Sequence, residues 1–272
     1  MLPYTHPFAG GYPYRGSQRL PSDPDALTYL AAVAAADGAP VETAVAVAVD
    51  DFFKGCKADG IWDAIKASCI LCGARTLAGA LVPLVGTAPT NVADGFVAGD
   101  YTRGGATPGL KGDGTSYLDS GRANDADGQN DQHLSVYLSS SPSATSILLG
   151  SRIPPFDETG SSQLVFVTGQ PYQYRIHTTT GSYVTGTAST GFFGAARSES
   201  SANVARYNGT DFSSSEVSET PNTENLLVYN RQPSGPITDA RLAFYSIGTA
   251  ISDLALLDAR VTALITAIGA AV

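Results

Sequence analysis

Residues 241–272 read RLAFYSIGTAISDLALLDARVTALITAIGAAV, and this stretch decides the fold. Arg241 to Ile247 is strand-like, and Gly248 ends it. Beyond it, Leu254, Leu257, Val261, Leu264 and Ile268 recur at alternating intervals of three and four, one apolar seam on a helix. A β-rich domain therefore stops where a terminal helix begins. The seam covers about two and a half heptads, short of a secure coiled coil, and an isolated helix of that length is marginal in water. It must pack on something: the chain's own sandwich, or copies of itself in a homo-oligomer.

Working back from this stretch, residues 78–248 read as short strands separated by Gly, Ser, Asn and Pro. Leu134, Val136 and Leu138 alternate with His133, Ser135, Tyr137 and Ser139, the period of a half-buried strand. Similar segments lie at 146–151, 163–168, 172–178, 192–197, 203–208 and 225–230. Asn208-Gly209, Thr180-Gly181 and Pro221-Asn222 supply turns between them. Many short strands without intervening helices predict one all-β sandwich.

Residues 23–77 predict helices instead. Asp23 can cap the first, with Pro24 at its first position and Gly38 at its end. Val41, Ala44, Val45, Ala48, Val49, Phe52 and Phe53 mark a second, closed by Gly55. A third is expected from Ile61 to Cys72, with Ile61, Ile65, Cys69 and Cys72 inward and Trp62 anchoring it on the sandwich. The fourth part, 249–272, is the terminal helix. Ahead of all these, residues 1–22 hold Pro3, Pro7, Pro13 and Pro21, which deny regular hydrogen bonding, together with Tyr4, Phe8, Tyr12 and Tyr14. They read either as a loose terminus or as an extended arm laying its rings on a neighbouring subunit.

Composition excludes several functions. A net charge of −9, with Lys and Arg scattered singly, gives no nucleic-acid footprint. No secretory signal is expected at the start, and the apolar run from Cys69 to Ala88 is broken by Arg75 and Pro83, so no membrane insertion is expected. Three cysteines, Cys56, Cys69 and Cys72, make a poor disulfide framework. Cys69 and Cys72 have zinc or redox spacing, but without a second pair or a nearby His they read as buried structural thiols. No catalytic, metal or cofactor site is expected. Glu216, Glu219 and Glu224 fall in a loop rather than on one strand face, and His6, His133 and His177 are far apart. The run Asn124 to Asp131 is rich in oxygen ligands suited to calcium, yet reads first as a solvated loop.

Lys57-Ala58-Asp59-Gly60-Ile61-Trp62-Asp63, Gly112-Asp113-Gly114-Thr115-Ser116-Tyr117-Leu118-Asp119 and Arg241 to Gly248 resemble a recurrent bacteriophage module. That module is a concanavalin A-like (laminin-G-like) lectin/glucanase jelly roll, and the resemblance covers roughly residues 24–272. It implies a mainly β jelly-roll sandwich with N-terminal helices and a C-terminal helix. It also implies a non-enzymatic virion structural protein: a head-decoration or cement protein, or a short spike or fibre subunit, assembled in the host cytoplasm. Its partners would be capsid or tail proteins and further copies of itself, a trimer by preference. The alternative is a carbohydrate-binding adhesin, a tail fibre or receptor-binding module for host surface glycans. Gly112, Asp113, Gly114 and Asp119 read as a turn and strand entry.

Overall fold

The computed structural model describes residues 19–92, 95–187, 189–233 and 238–272. Tyr4, Phe8, Tyr12 and Tyr14 lie outside them. Helix α1 (Pro24–Asp37) starts where Asp23 accepts hydrogen bonds from the N–H groups of Asp25 and Ala26, and Gly38 ends it in the left-handed conformation. Helix α2 (Thr43–Ala58) follows, then β1 (Ile65–Ile70), the single turn α3 (Leu77–Ala80), β2 (Thr90–Val92), β3 (Tyr101–Thr102), β4 (Gly109–Lys111) and β5 (Tyr117–Ala123). Next come β6 (Gln132–Ser140), β7 (Ser146–Ile153), β8 (Asp157–Val167), β9 (Gln170–Arg175) and β10 (Ser182–Val184). The chain closes with β11 (Gly191–Glu199), β12 (Ala202–Tyr207), β13 (Thr210–Ser214), β14 (Asn225–Val228), β15 (Arg241–Gly248) and α4 (Leu254–Ala271).

The strands form two antiparallel sheets. One runs β13-β12-β11-β6-β15-β4-β3, with β1 also paired to β15; the other runs β10-β9-β8-β7-β14-β5-β2. The chain passes between sheets at β1 to β2, β2 to β3, β4 to β5, β5 to β6, β6 to β7, β10 to β11, β13 to β14 and β14 to β15, the Greek-key traffic of a jelly-roll sandwich. Leu134, Val136, Leu164, Tyr172, Phe193, Leu242 and Tyr245 fill the space between them. The expected sandwich with helices at both ends is what the chain builds.

The first sheet is covered on both faces. Phe193, Ala195, Leu242 and Tyr245 face the second sheet, whereas their neighbours Phe192, Ala196, Ala243 and Phe244 join a separate core with α1, α2 and α4. A strand buried on both sides needs apolar doublets rather than clean alternation, and Phe192-Phe193 and Phe244-Tyr245 supply them.

This second core corrects three expectations. The segment 61–72 is not a helix: a 3₁₀ turn at Trp62–Ala64 leads into β1, which pairs with β15 from Ile65↔Gly248 to Ile70↔Phe244. An apolar run buried on both faces mimics helical spacing. Trp62 therefore anchors the turn on α2, its ring 4.5 Å from that of Phe53. Gly55 does not end α2 but lies inside it, where a Cβ would meet Arg260 Cδ at 2.6 Å. Its absence lets the Arg260 fork cross to Asp59 at 2.7 and 2.9 Å. Finally, His133 and Ser135 lie on a face that is buried rather than wet. There His133 Nδ1 donates to Thr249 O at 2.6 Å, Ser246 Oγ lies 3.0 Å from Nε2, and Ser135 bonds Ser246 at 2.7 Å.

The five residues of the terminal seam are used inside the chain. Leu254, Leu257, Val261, Leu264 and Ile268 are all buried in the helix-side core, with α4 against α2, β11 and β12. Arg206 of β12 reaches Asp258 of α4 at 2.8 Å and fixes the docking. Within the chain these side chains are core residues, the docked alternative of the two that the spacing left open. By length and apolar content α4 could also cross a membrane, which the reading of 69–88 missed. In this fold its apolar face is packed.

Candidate functional site

The helix-side core contains no residue of the second sheet, so the face of that sheet turned away from the sandwich core is where polar side chains gather. Strand pairing writes one row across it: Asp119 of β5 opposite Leu227 of β14, then Gly150 of β7, Gln163 of β8 and Arg175 of β9. Directly paired residues share a face, and so do positions two along. Tyr117, Asn225 and Arg152 thereby join the row. Gly150 is required at its centre: a Cβ there would lie 2.6 Å from Gln163 Cβ.

A cleft of about 270 Å³ opens on this row. Tyr117, Asp119, Glu224, Asn225, Leu227, Arg152 and Arg231 line it. Asn225 Nδ2 donates to both Asp119 oxygens at 3.0 and 3.1 Å, so an amide and a carboxylate are held side by side. Beside the cleft, Phe156 stands 74% exposed at the tip of the β7–β8 hairpin, its ring centroid 5.2 Å from the Arg152 guanidinium carbon.

Around the cleft arginines lies a cluster that the sequence did not announce. Glu158 receives Arg152 Nη1 at 3.0 Å, Arg231 Nη1 at 3.0 Å and Arg175 Nη1 at 3.1 Å. Arg152 also donates to Gln232 Oε1 at 2.6 Å, and Arg231 to Gln163 Oε1. The three arginine side chains are only 6%, 9% and 14% exposed. Burial pulls against the Glu158 charge, but the three guanidiniums prevail and hold its carboxyl below the ordinary range. Burial likewise pushes Arg231 down to about 10, opposed by Glu158 and aided by Arg152 and Arg175.

The other sequence candidates are placed elsewhere. Glu219 accepts from Gly160 N–H at 2.8 Å and Thr179 at 2.7 Å, while Glu224 lines the cleft, so the Glu216–Glu224 run does not converge. In the Asn124–Asp131 loop, Asp127 pairs with Arg122 and Asp131 accepts from Ala250 N–H at 2.7 Å. Among the described residues no group of three His, Cys, Asp or Glu could hold a metal ion. Cys69 points into the sandwich core and Cys72 into the helix-side core, so their spacing builds no site. His177 lies buried beneath the carbonyls of Gln129 (2.7 Å) and Asn124 (3.1 Å). Asp113 does form the expected turn, accepting from the N–H groups of Thr115 and Ser116. Asp119, read as a strand-entry residue, is in the cleft as well.

No family model matches the chain, and no curated protein matches it in sequence. Among solved structures it is similar to Trypanosoma rangeli sialidase in complex with sialic acid, at 12% identity and a TM-score of 0.41, over 60% of this chain and 28% of that one. It is similar to the binding domain of botulinum neurotoxin serotype D at 10% identity and 0.47, over 74% and 51%. Domain 4 of AbnA, a GH43 extracellular arabinanase from Geobacillus stearothermophilus, in complex with arabinotriose, gives 13% and 0.36, over 66% and 82%. The chain thus spans about a quarter of the sialidase and half of the neurotoxin domain.

Proposed function

We propose that the protein is a non-enzymatic, glycan-binding component of a bacteriophage particle. The observation that carries the binding role is the cleft on the second sheet. Carboxylate, amide, guanidinium and phenol groups converge there on rigid strands beside an exposed aromatic ring, the mixture that vicinal sugar hydroxyls and a sugar face require.

Binding rather than hydrolysis is supported by the carboxylates. A glycosidase needs a general acid whose pKa is raised. Among the described residues, each carboxylate with a shifted pKa is shifted down, Glu158 included. The two histidines in the β-sandwich are buried in structural hydrogen bonds.

The virion assignment is supported by the Asp-Gly-Ile-Trp and Gly-Asp-Gly segments and their resemblance to the phage module. Capsid or tail contact would fall to the Tyr4, Phe8, Tyr12 and Tyr14 arm, leaving the cleft for host glycans. A decoration or cement role uses the same arm. Glycan-array binding by the wild type, reduced about tenfold or more by Asn225→Ala and Phe156→Ala, supports the adhesive role. Absence of any glycan signal overturns it. Immunogold labelling of purified particles tests the location, and unlabelled particles refute it.

A further inference from the structure

The arginine cluster of the cleft brings more N–H donors than its protein surroundings answer. Three guanidiniums are ion-paired to one carboxylate, Glu158, where none of the three side chains is more than 14% exposed, and Glu219 acts on Arg175 from further off. Each guanidinium brings five N–H donors. The acceptors around them are Glu158, Gln163, Gln173, Gln232 and the Thr179 carbonyl. Donors exceed these acceptors, and the Nε atoms of Arg175 and Arg231 are buried without an acceptor among the described residues. Buried guanidinium N–H groups without an acceptor are costly, so a bound anion that supplies acceptors stabilises the arrangement.

We propose that the arginine part of the cleft is a carboxylate subsite, and that the saccharide recognised carries uronic acid. The inference rests on the glycan reading above and narrows it. The carboxylate of the sugar lies against Arg231 and Arg152, which line the cleft, with Arg175 behind them supplying charge. Hydroxyls of the same ring or the next fall to the other lining groups, where the Asp119–Asn225 pair is preorganised and Glu224 offers carboxylate oxygens as further acceptors. Glu224 and Asp119 repel a carboxylate, which directs that of the sugar to the arginines. Phe156, packed on Arg152, offers its exposed ring to the apolar face of a neighbouring sugar.

Calorimetric titration of the whole chain with polygalacturonate, alginate and hyaluronan, each beside its methyl ester, tests the subsite. At least one acid form should bind, and its ester should bind about tenfold weaker or worse, since the ester keeps the shape and loses the charge. Arg231→Gln should abolish the difference between acid and ester while the thermal midpoint confirms folding. Arg231→Lys, which keeps the charge and loses the fork, serves if the glutamine variant does not fold, and should retain only part of the preference. Equal binding of acid and ester, or Arg231 variants that discriminate as the wild type does, overturns the subsite and leaves the glycan reading intact. So does a neutral glycan whose binding Asn225→Ala removes, with all three acid polymers unbound. A chain that binds neither the acidic nor any neutral saccharide overturns both.

Discussion

Asp50 shows how much one side chain can hold. It is fully buried, accepts from the N–H groups of Ser22 and Asp23 at 2.8 and 2.7 Å, and pairs with Lys54 at 2.7 Å. Burial alone would raise its pKa, but these donors outweigh it and bring it down to about 2 from 3.8. Asp50→Ala leaves two backbone donors and a lysine unanswered, and should cost about 3 kcal/mol in chemical denaturation at pH 7. His133 acts in a milder pH range. Burial dominates and lowers it from 6.5 to about 4. Between those values the unfolded chain binds a proton that the folded chain does not. The neutral ring's contribution is therefore complete above pH 6.5 and is lost as pH falls toward 4. Thermal midpoints should drop between pH 7 and 4.5, with His177 shifted in the same direction, and His133→Gln should flatten part of that slope. An unchanged slope would contradict the assignment. Cys56 and Cys69 are pushed up to about 12 by burial, and Cys72 is raised for the same reason. None of the three should react with a thiol reagent until the protein unfolds, so labelling should track global unfolding.

At the scale of elements, α4 is the piece whose role depends most on its surroundings. Leu257 and Val261 are wholly buried between α2 and the first sheet, and two charged pairs, Arg206–Asp258 and Arg260–Asp59, pin the helix from either side. Leu257→Asp places a carboxylate in that layer and should destabilise the fold by about 4 kcal/mol or more. Ala267→Glu, on an exposed position of the same helix, should be nearly silent. If Leu257→Asp instead left the melting temperature unchanged and altered only self-association, the intramolecular docking would be refuted. The helical spacing was plain in the sequence, because apolar residues at three and four intervals fit no strand. What that face touched was not, since a seam for another copy and a seam for the chain's own sheet have the same pattern. The segment 61–72 failed for a related reason. Ile65 and Ile70 turn to the helices while Ala67, Cys69 and Leu71 turn to the sandwich, and a run apolar on both sides loses the strand alternation that would tell it from a helix.

Across the whole molecule, the layers run helices, first sheet, second sheet, and the outer face of the last carries the polar row. The sequence by itself determined the mainly β class, most of the strands between Gln132 and Gly248, the capped first helix and the terminal helix. These follow from local rules: alternation, capping by Asp23, turns at Asn208-Gly209, and a 3.6-residue period. It also pointed to buried thiols at Cys69 and Cys72, and the fold places them in different cores. Tertiary structure alone decided the site. Arg152, Arg175 and Arg231 are scattered singly along the chain, and nothing local marks them as partners. Pairing Gln163 with both Gly150 and Arg175 brings them around Glu158, so the charge that composition dilutes is concentrated by strand register. Register is set by which face each strand buries, and that depends on every other strand in the sheet.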